Sequence, residues 1–210
     1  MTNQERKDLC QLLASLFSPP DLEMVRQIHL GTLYSYFQRY MRSWGGEIDL
    51  LKGFIIEGEG EGDPGILLND LEEAYERLFS GLGSEGISLV ESSYKLWTQD
   101  SHCPLPFASE KGLLMGDSAL HLSEVYRQCG LEVAEEFKGC PDHIVMELEF
   151  LSYLYQWATD IEVKKFIEDH LDWIPFLEEE FERFCAHPFY RSLSRVLSLF
   201  LNEERKRLEM

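Results

Sequence analysis

CPDHIVMELEFLSYLYQW, residues 140–157, carries the densest apolar patterning in the chain. Ile144, Leu148, Leu151 and Tyr155 fall on one helical stripe, and Met146, Phe150, Tyr153 and Trp157 on a neighbouring one. Two apolar stripes leave little surface for water, so the spacing predicts a helix at the centre of a bundle. Its polar residues gather near the start. Pro141 suits a first-turn position, and Asp142 beside it complements the free N–H groups and the positive dipole end. His143 and Glu147 lie one turn apart on one face, where they can pair. Alternatively, Asp142 or Glu147 in such a greasy surround can hold a cation such as a guanidinium. A general-base role for His143 needs a nucleophile or metal that the neighbouring sequence does not supply.

Working outward, helical periodicity dominates. Asn3 is a cap for a first helix carrying Leu9, Leu12, Leu13, Leu16 and Phe17, which Pro19-Pro20 ends. A second helix is predicted over 21–42 with Val25, Ile28, Leu33, Phe37 and Tyr40 inward, stopped by Gly45-Gly46. A short apolar piece, 48–56, precedes EGEGEGDPG (57–65), a solvated connector by its glycine and acid content. Asn69 is a cap for LEEAYERLFSG, with Gly81 and Gly83 past its end. HCPLPF (102–107) is a loop, and 113–131 reads as a helix with Leu120, Val125 and Tyr126 inward and Gly130 as its stop. Beyond the quoted stretch, 163–171 and 176–184 are helices parted at Pro175, and a last helix spans roughly 190–208. The expected fold is all-α, a single bundle of about eight to ten helices. It has an N-terminal part, 1–136, and a C-terminal part, 137–210, packed as one globular unit, with a junction at FKGCP (137–141).

The chain has 210 residues, 44% hydrophobic, enough for one sizeable core. Its formal charge of -19 disfavours nucleic acid and favours a basic peptide or protein segment as partner. Five cysteines at 10, 103, 129, 140 and 185 form no CxxC pair, which suits free thiols in a reducing cytosol. No apolar stretch approaches the ~20 residues needed to span a bilayer, so the expectation is a cytoplasmic protein without stable membrane insertion. Phosphate-loop, dinucleotide, HExxH and GxSxG signatures are missing, so no cofactor or metal is expected.

CPDHIVMELEFLSYL (140–154) resembles the PDHxxxELxFM signature of the TorD/DmsD-type redox-enzyme maturation chaperones, a group that includes the NarJ-like proteins. LLMGDSAL (113–120), HLDWIPFL (170–177) and HPFYRSL (187–193) resemble further elements of that family in the same order, and YERLFSG (75–81) and ESSYKLW (91–97) fit its looser upstream patterns.

The resemblance implies a non-enzymatic cytoplasmic chaperone. It would bind the twin-arginine leader and the apo catalytic subunit of a molybdenum or tungsten, molybdopterin-dependent oxidoreductase, delaying export until the cofactor is inserted. Monomers and domain-swapped homodimers are both implied, with the swap hinge placed near 137–141. Asp142 and His143 fall on the PDH positions and are expected to wall a peptide groove, with Glu147 behind them and Ser93 and Tyr94 opposite. For the groove-side loop there are two candidates, Pro106-Phe107-Ala108-Ser109 and Glu91-Ser92-Ser93-Tyr94, and Trp173 is either a groove or a core residue. The double substitution Asp142→Ala/His143→Ala is expected to leave the fold intact and weaken leader binding. Two other classes stay open: a nucleotide-hydrolysing enzyme built on His143 and its carboxylates, and a plain helical adaptor.

Overall fold

The computed structural model describes residues 1–55, 63–80, 86–184 and 187–209. The expectations for 57–62 of the acidic connector, for Gly81 and Gly83 as a stop and for Cys185 as a thiol lie outside them. Nine α-helices occur among the described residues: α1 (Asn3–Leu16), α2 (Leu22–His29), α3 (Thr32–Met41), α4 (Pro64–Phe79), α5 (Asp117–Gln128), α6 (Ile144–Trp157), α7 (Asp160–His170), α8 (Ile174–Phe184) and α9 (Pro188–Glu209). Short 3-10 segments sit at Ile48–Phe54, Glu91–Ser93 and Glu135–Phe137. Beyond an isolated antiparallel bridge between Val90 and His143, no extended pairing is found among these residues, so the all-α expectation holds. None of these helices is long and apolar enough to cross a membrane.

Several helix ends differ from the periodicity reading, each for a local reason. The cap of α1 is Thr2, whose hydroxyl accepts from Glu5 N while the Glu5 carboxylate accepts from Thr2 N. The helix expected over 21–42 breaks at Gly31, where φ of 65° interrupts the helical path. α4 starts five residues before Asn69, with Asp63 as cap and Pro64 in its first turn. α5 starts at Asp117, and Leu120 is 55% exposed rather than inward. α8 starts at Ile174, two residues before the expected 176, with Pro175 in a first turn that has no use for the missing N–H, so the parting of the two helices there holds.

The contacts divide the chain into two compact units: residues 1–17 with 88–173, and 18–87 with 174–210. This division differs from the 136/137 boundary, and the 137–141 junction lies inside the first unit. In that unit α6 packs along α1, and ten of its fourteen residues are buried, as a central helix requires. Trp157, counted on an inward stripe, is instead 68% exposed where α6 ends. The second unit is built on aromatic contacts. Phe54 stacks on Phe37 and meets Phe189 edge-on, and Tyr190 meets Phe79 edge-on. Gly53 is required there, because a Cβ at this position would stand 2.0 Å from the Pro188 carbonyl oxygen.

Candidate functional site

The site expected from the sequence belongs to the first unit and begins with backbone pairing. Glu91 N donates to Asp142 O and Ile144 N to Leu89 O, tying the 89–93 segment to the start of α6. His143, not Pro141 or Asp142, is the helix cap, its Nδ1 accepting from Val145 N at 3.2 Å. Asp142 turns the other way. Its Oδ2 accepts from Ser92 N at 2.8 Å and from the Ser92 hydroxyl, and the side chain is fully buried. Burial raises the Asp142 carboxyl above its ordinary value, against the two Ser92 bonds.

Glu147 is also fully buried, and it does not pair with His143. Its Oε2 accepts from Trp173 Nε1 at 3.1 Å. Burial, and then the neighbouring Glu91 and Asp142 charges, push its pKa well above the usual carboxylate range, so it keeps its proton. Glu91 goes the other way. Burial opposes its charge, but His170, at 3.0 Å from Oε2, and Lys95, at 2.5 Å from Oε1, outweigh that and hold it ionised. His170 Nε2 in turn meets His121 Nδ1 at 2.7 Å.

His143 is half-buried with its ring 4.8 Å from that of Phe137, and desolvation lowers its pKa to about 4. A neutral imidazole with Nδ1 spent on capping and no carboxylate hydrogen-bonded to it lacks the arrangement of an oriented general base. No cluster of three or more His, Cys, Asp or Glu among the described residues is placed to hold a metal ion.

The structure brings Ser93, Tyr94, Asp142, Glu147 and Trp173 into one network. Tyr94 donates its hydroxyl to Ser88 O and stacks on Trp173 at 5.0 Å, while the Ser93 hydroxyl meets that of Ser88 at 2.7 Å. Trp173 is a core residue, fully buried. Pro106 and Phe107 lie elsewhere in the unit, with Phe107 edge-on to Trp97. Of the two candidate loops, 91–94 therefore packs against Asp142, and 106–109 packs beside Trp97. Thr98 N bonds Ala108 O, Trp97 N bonds Glu110 O and Asp117 N bonds Trp97 O, so residues 93–117 form a folded loop. Asp117 also accepts from the Thr98 hydroxyl and Gln99 N. Gly116 permits this closure, since a Cβ there would stand 2.6 Å from Trp97 O. Leu96, Leu105, Leu114, Met115 and Leu120 are exposed on or beside this loop, and Met115 holds a left-handed φ of 58°.

Sequence reasoning named Glu91 only within a candidate loop and missed Lys95, His170 and Asp172 as its partners in the network. Glu91 and Lys95 stand one helical turn apart, the spacing of an ion pair, and that signal was available. The approach of His170 and Asp172 is long-range and had none.

A family model described as nitrate reductase delta subunit matches residues 45–185. The chaperone protein TorD of Vibrio cholerae is 29% identical over 125 residues, 52% of this chain and 57% of that protein. TorD of Vibrio parahaemolyticus is 27% identical over 117 residues, 48% of this chain and 54% of its own. The chain thus spans little more than half the length of these relatives. TorD of Shewanella piezotolerans is 22% identical over 213 residues, 96% of this chain and 91% of that one. In fold, the chain is similar to a crystal structure from Archaeoglobus fulgidus described as a redox enzyme maturation protein, with TM-score 0.51 and 21% identity over 98% of this chain and 94% of the other.

Proposed function

We propose a function from one premise: the chain belongs to the nitrate reductase delta subunit family, the TorD/NarJ type of redox enzyme maturation protein. On this reading it is a chaperone for molybdoenzyme maturation and not a catalyst. It binds the twin-arginine leader and the apo catalytic subunit of a molybdopterin-dependent oxidoreductase in the cytoplasm, and holds both until the cofactor is in place.

The observation that carries the leader reading is the loop at 93–117. Exposed leucines on a rigidly bonded loop, in a chain of formal charge -19, suit a peptide that joins two arginines to an apolar run. Apolar contact supplies affinity there, and the acidic field draws the basic end in. Pro106 and Phe107 belong to the contact surface in this reading, with His143 at its rim. Asp142, Glu147, Tyr94, Ser93 and Trp173 hold the wall from within.

Calorimetry with a synthetic twin-arginine leader and its Lys-Lys counterpart tests this. The arginine peptide is expected to bind the more tightly, and Leu105→Asp and Leu114→Asp each to weaken it by about 1–2 kcal/mol without lowering thermal stability. Equal affinity for both peptides favours the plain adaptor, and unchanged affinity in both variants removes the loop from the contact.

A further inference from the structure

Among the described residues five take a left-handed backbone, and four of them are glycines: Gly31, Gly45, Gly112 and Gly130. The fifth is Met115, at φ 58°. A bulky L side chain is strained there, because its Cβ crowds the carbonyl oxygen that follows.

The turn that imposes this conformation is fixed at both ends. Gly112 N donates to Ser93 O at 3.2 Å and Asp117 N to Trp97 O at 2.8 Å. Gly116 is buried against the Trp97 backbone, with no room for a side chain. Residues 113–115 must join these two anchors, and the left-handed step falls on Met115. The core does not offset the strain. Met115 is 37% exposed, and Leu114 beside it is 51% exposed. At a left-handed position on a surface turn glycine is the residue of lower free energy. A large apolar side chain kept there instead needs a contact that the chain by itself does not make, and strained residues of this kind gather where ligands are held.

We propose that Met115 is a contact residue for the apolar run of a bound leader peptide, and that its strained backbone holds it and Leu114 outward from the folded loop. That the occupant is a leader rests on the function proposed above. The thioether chain suits such a partner. Unbranched and polarizable, it adapts to apolar segments of differing shape, where a β-branched side chain would favour one. Because the turn is pinned on both sides, the two side chains stand ready before the partner arrives, and little ordering of the loop is left to binding.

Calorimetry of the full chain with a synthetic twin-arginine leader, beside thermal melts, compares wild type with Met115→Leu, Met115→Gly and Met115→Asn. Leucine keeps both the apolar chain and the strain, and should bind within about twofold of wild type. Glycine and asparagine both tolerate the left-handed backbone and carry no apolar side chain. Each should melt no lower than wild type and bind the leader about tenfold more weakly. The opposed responses are the signature, because a residue that merely supports the fold would lower the melting temperature when removed. Wild-type affinity in the glycine and asparagine variants overturns the inference and leaves the leader reading standing. A lower melting temperature in both also overturns it, since the strain would then be offset inside the chain. Should wild type itself bind no leader, the leader reading falls and the contact assigned to Met115 falls with it.

Discussion

Trp173 donates its indole N–H to Glu147 Oε2 over 3.1 Å, and both side chains are fully buried. The bond locks the last residue of the first unit to its central helix. It also gives a carboxyl group in an apolar core one of the few partners that make its burial tolerable.

Glu147→Gln tests the protonation of that carboxyl. A raised pKa means that the folded state binds more protons than the unfolded one above the ordinary glutamate value of about 4.3, so this contribution is full below that pH and is lost as pH rises. The amide keeps an acceptor for Trp173 and does not ionise. Relative to wild type, the variant should lie within about 1 kcal/mol near pH 4 and gain stability steadily toward pH 8, measured by urea unfolding.

His143 titrates in the opposite sense. Its pKa is lowered to about 4 by desolvation. Stability from the neutral ring is therefore complete above the unfolded value near 6.5 and is lost as pH falls toward 4, up to about 3 kcal/mol. An NMR titration of the imidazole should show its midpoint near 4. A midpoint above 6 would contradict the burial of the ring against Phe137.

Asp142→Ala/His143→Ala should damage the fold before it reports on binding. Removing Asp142 orphans Ser92 N–H and its hydroxyl in a buried turn, at about 2–3 kcal/mol, and removing the His143 cap adds about 1. This replaces the expectation that the pair leaves the fold intact. Chemical denaturation of the double variant beside Asp142→Asn, which keeps an acceptor, distinguishes the two outcomes.

Gly53→Ala should be among the most harmful single-methyl additions in the second unit. The added carbon would meet the Pro188 carbonyl at 2.0 Å, with the Ser192 hydroxyl also too close. Backbone must shift at the start of α9, and a loss of about 3 kcal/mol in the urea-derived stability is expected.

The fold class was legible because it rests on period. Two apolar stripes around α6 state its centrality without reference to any other segment. Helix ends were less so, since Gly31 acts through a left-handed backbone and Asp63 through a side-chain cap, neither of which periodicity carries. For the candidate site, PDH drew attention to the start of α6 but not to what its side chains bond there. Asp142 beside a proline looks like a dipole partner, and only the return of residues 89–93 to that spot converts it into the acceptor for Ser92. Likewise Trp173 and Glu147 are far apart in the chain, and no local pattern announces a bond between them.

The first unit is discontinuous, and this bears on the order in which the protein is made. α1 leaves the ribosome well before α6, carrying Leu9, Cys10 and Leu13, all fully buried in the finished molecule. The helix it packs along, α6, ends only at Trp157. At translation speeds of about 5–20 residues per second, that partner follows on the order of 10 s later. For that interval a greasy amphipathic helix has no home, and joining it to α6 closes a long loop at an entropic cost. A protein that belongs to a family of assembly factors thus has, during its own synthesis, a helix in need of shelter.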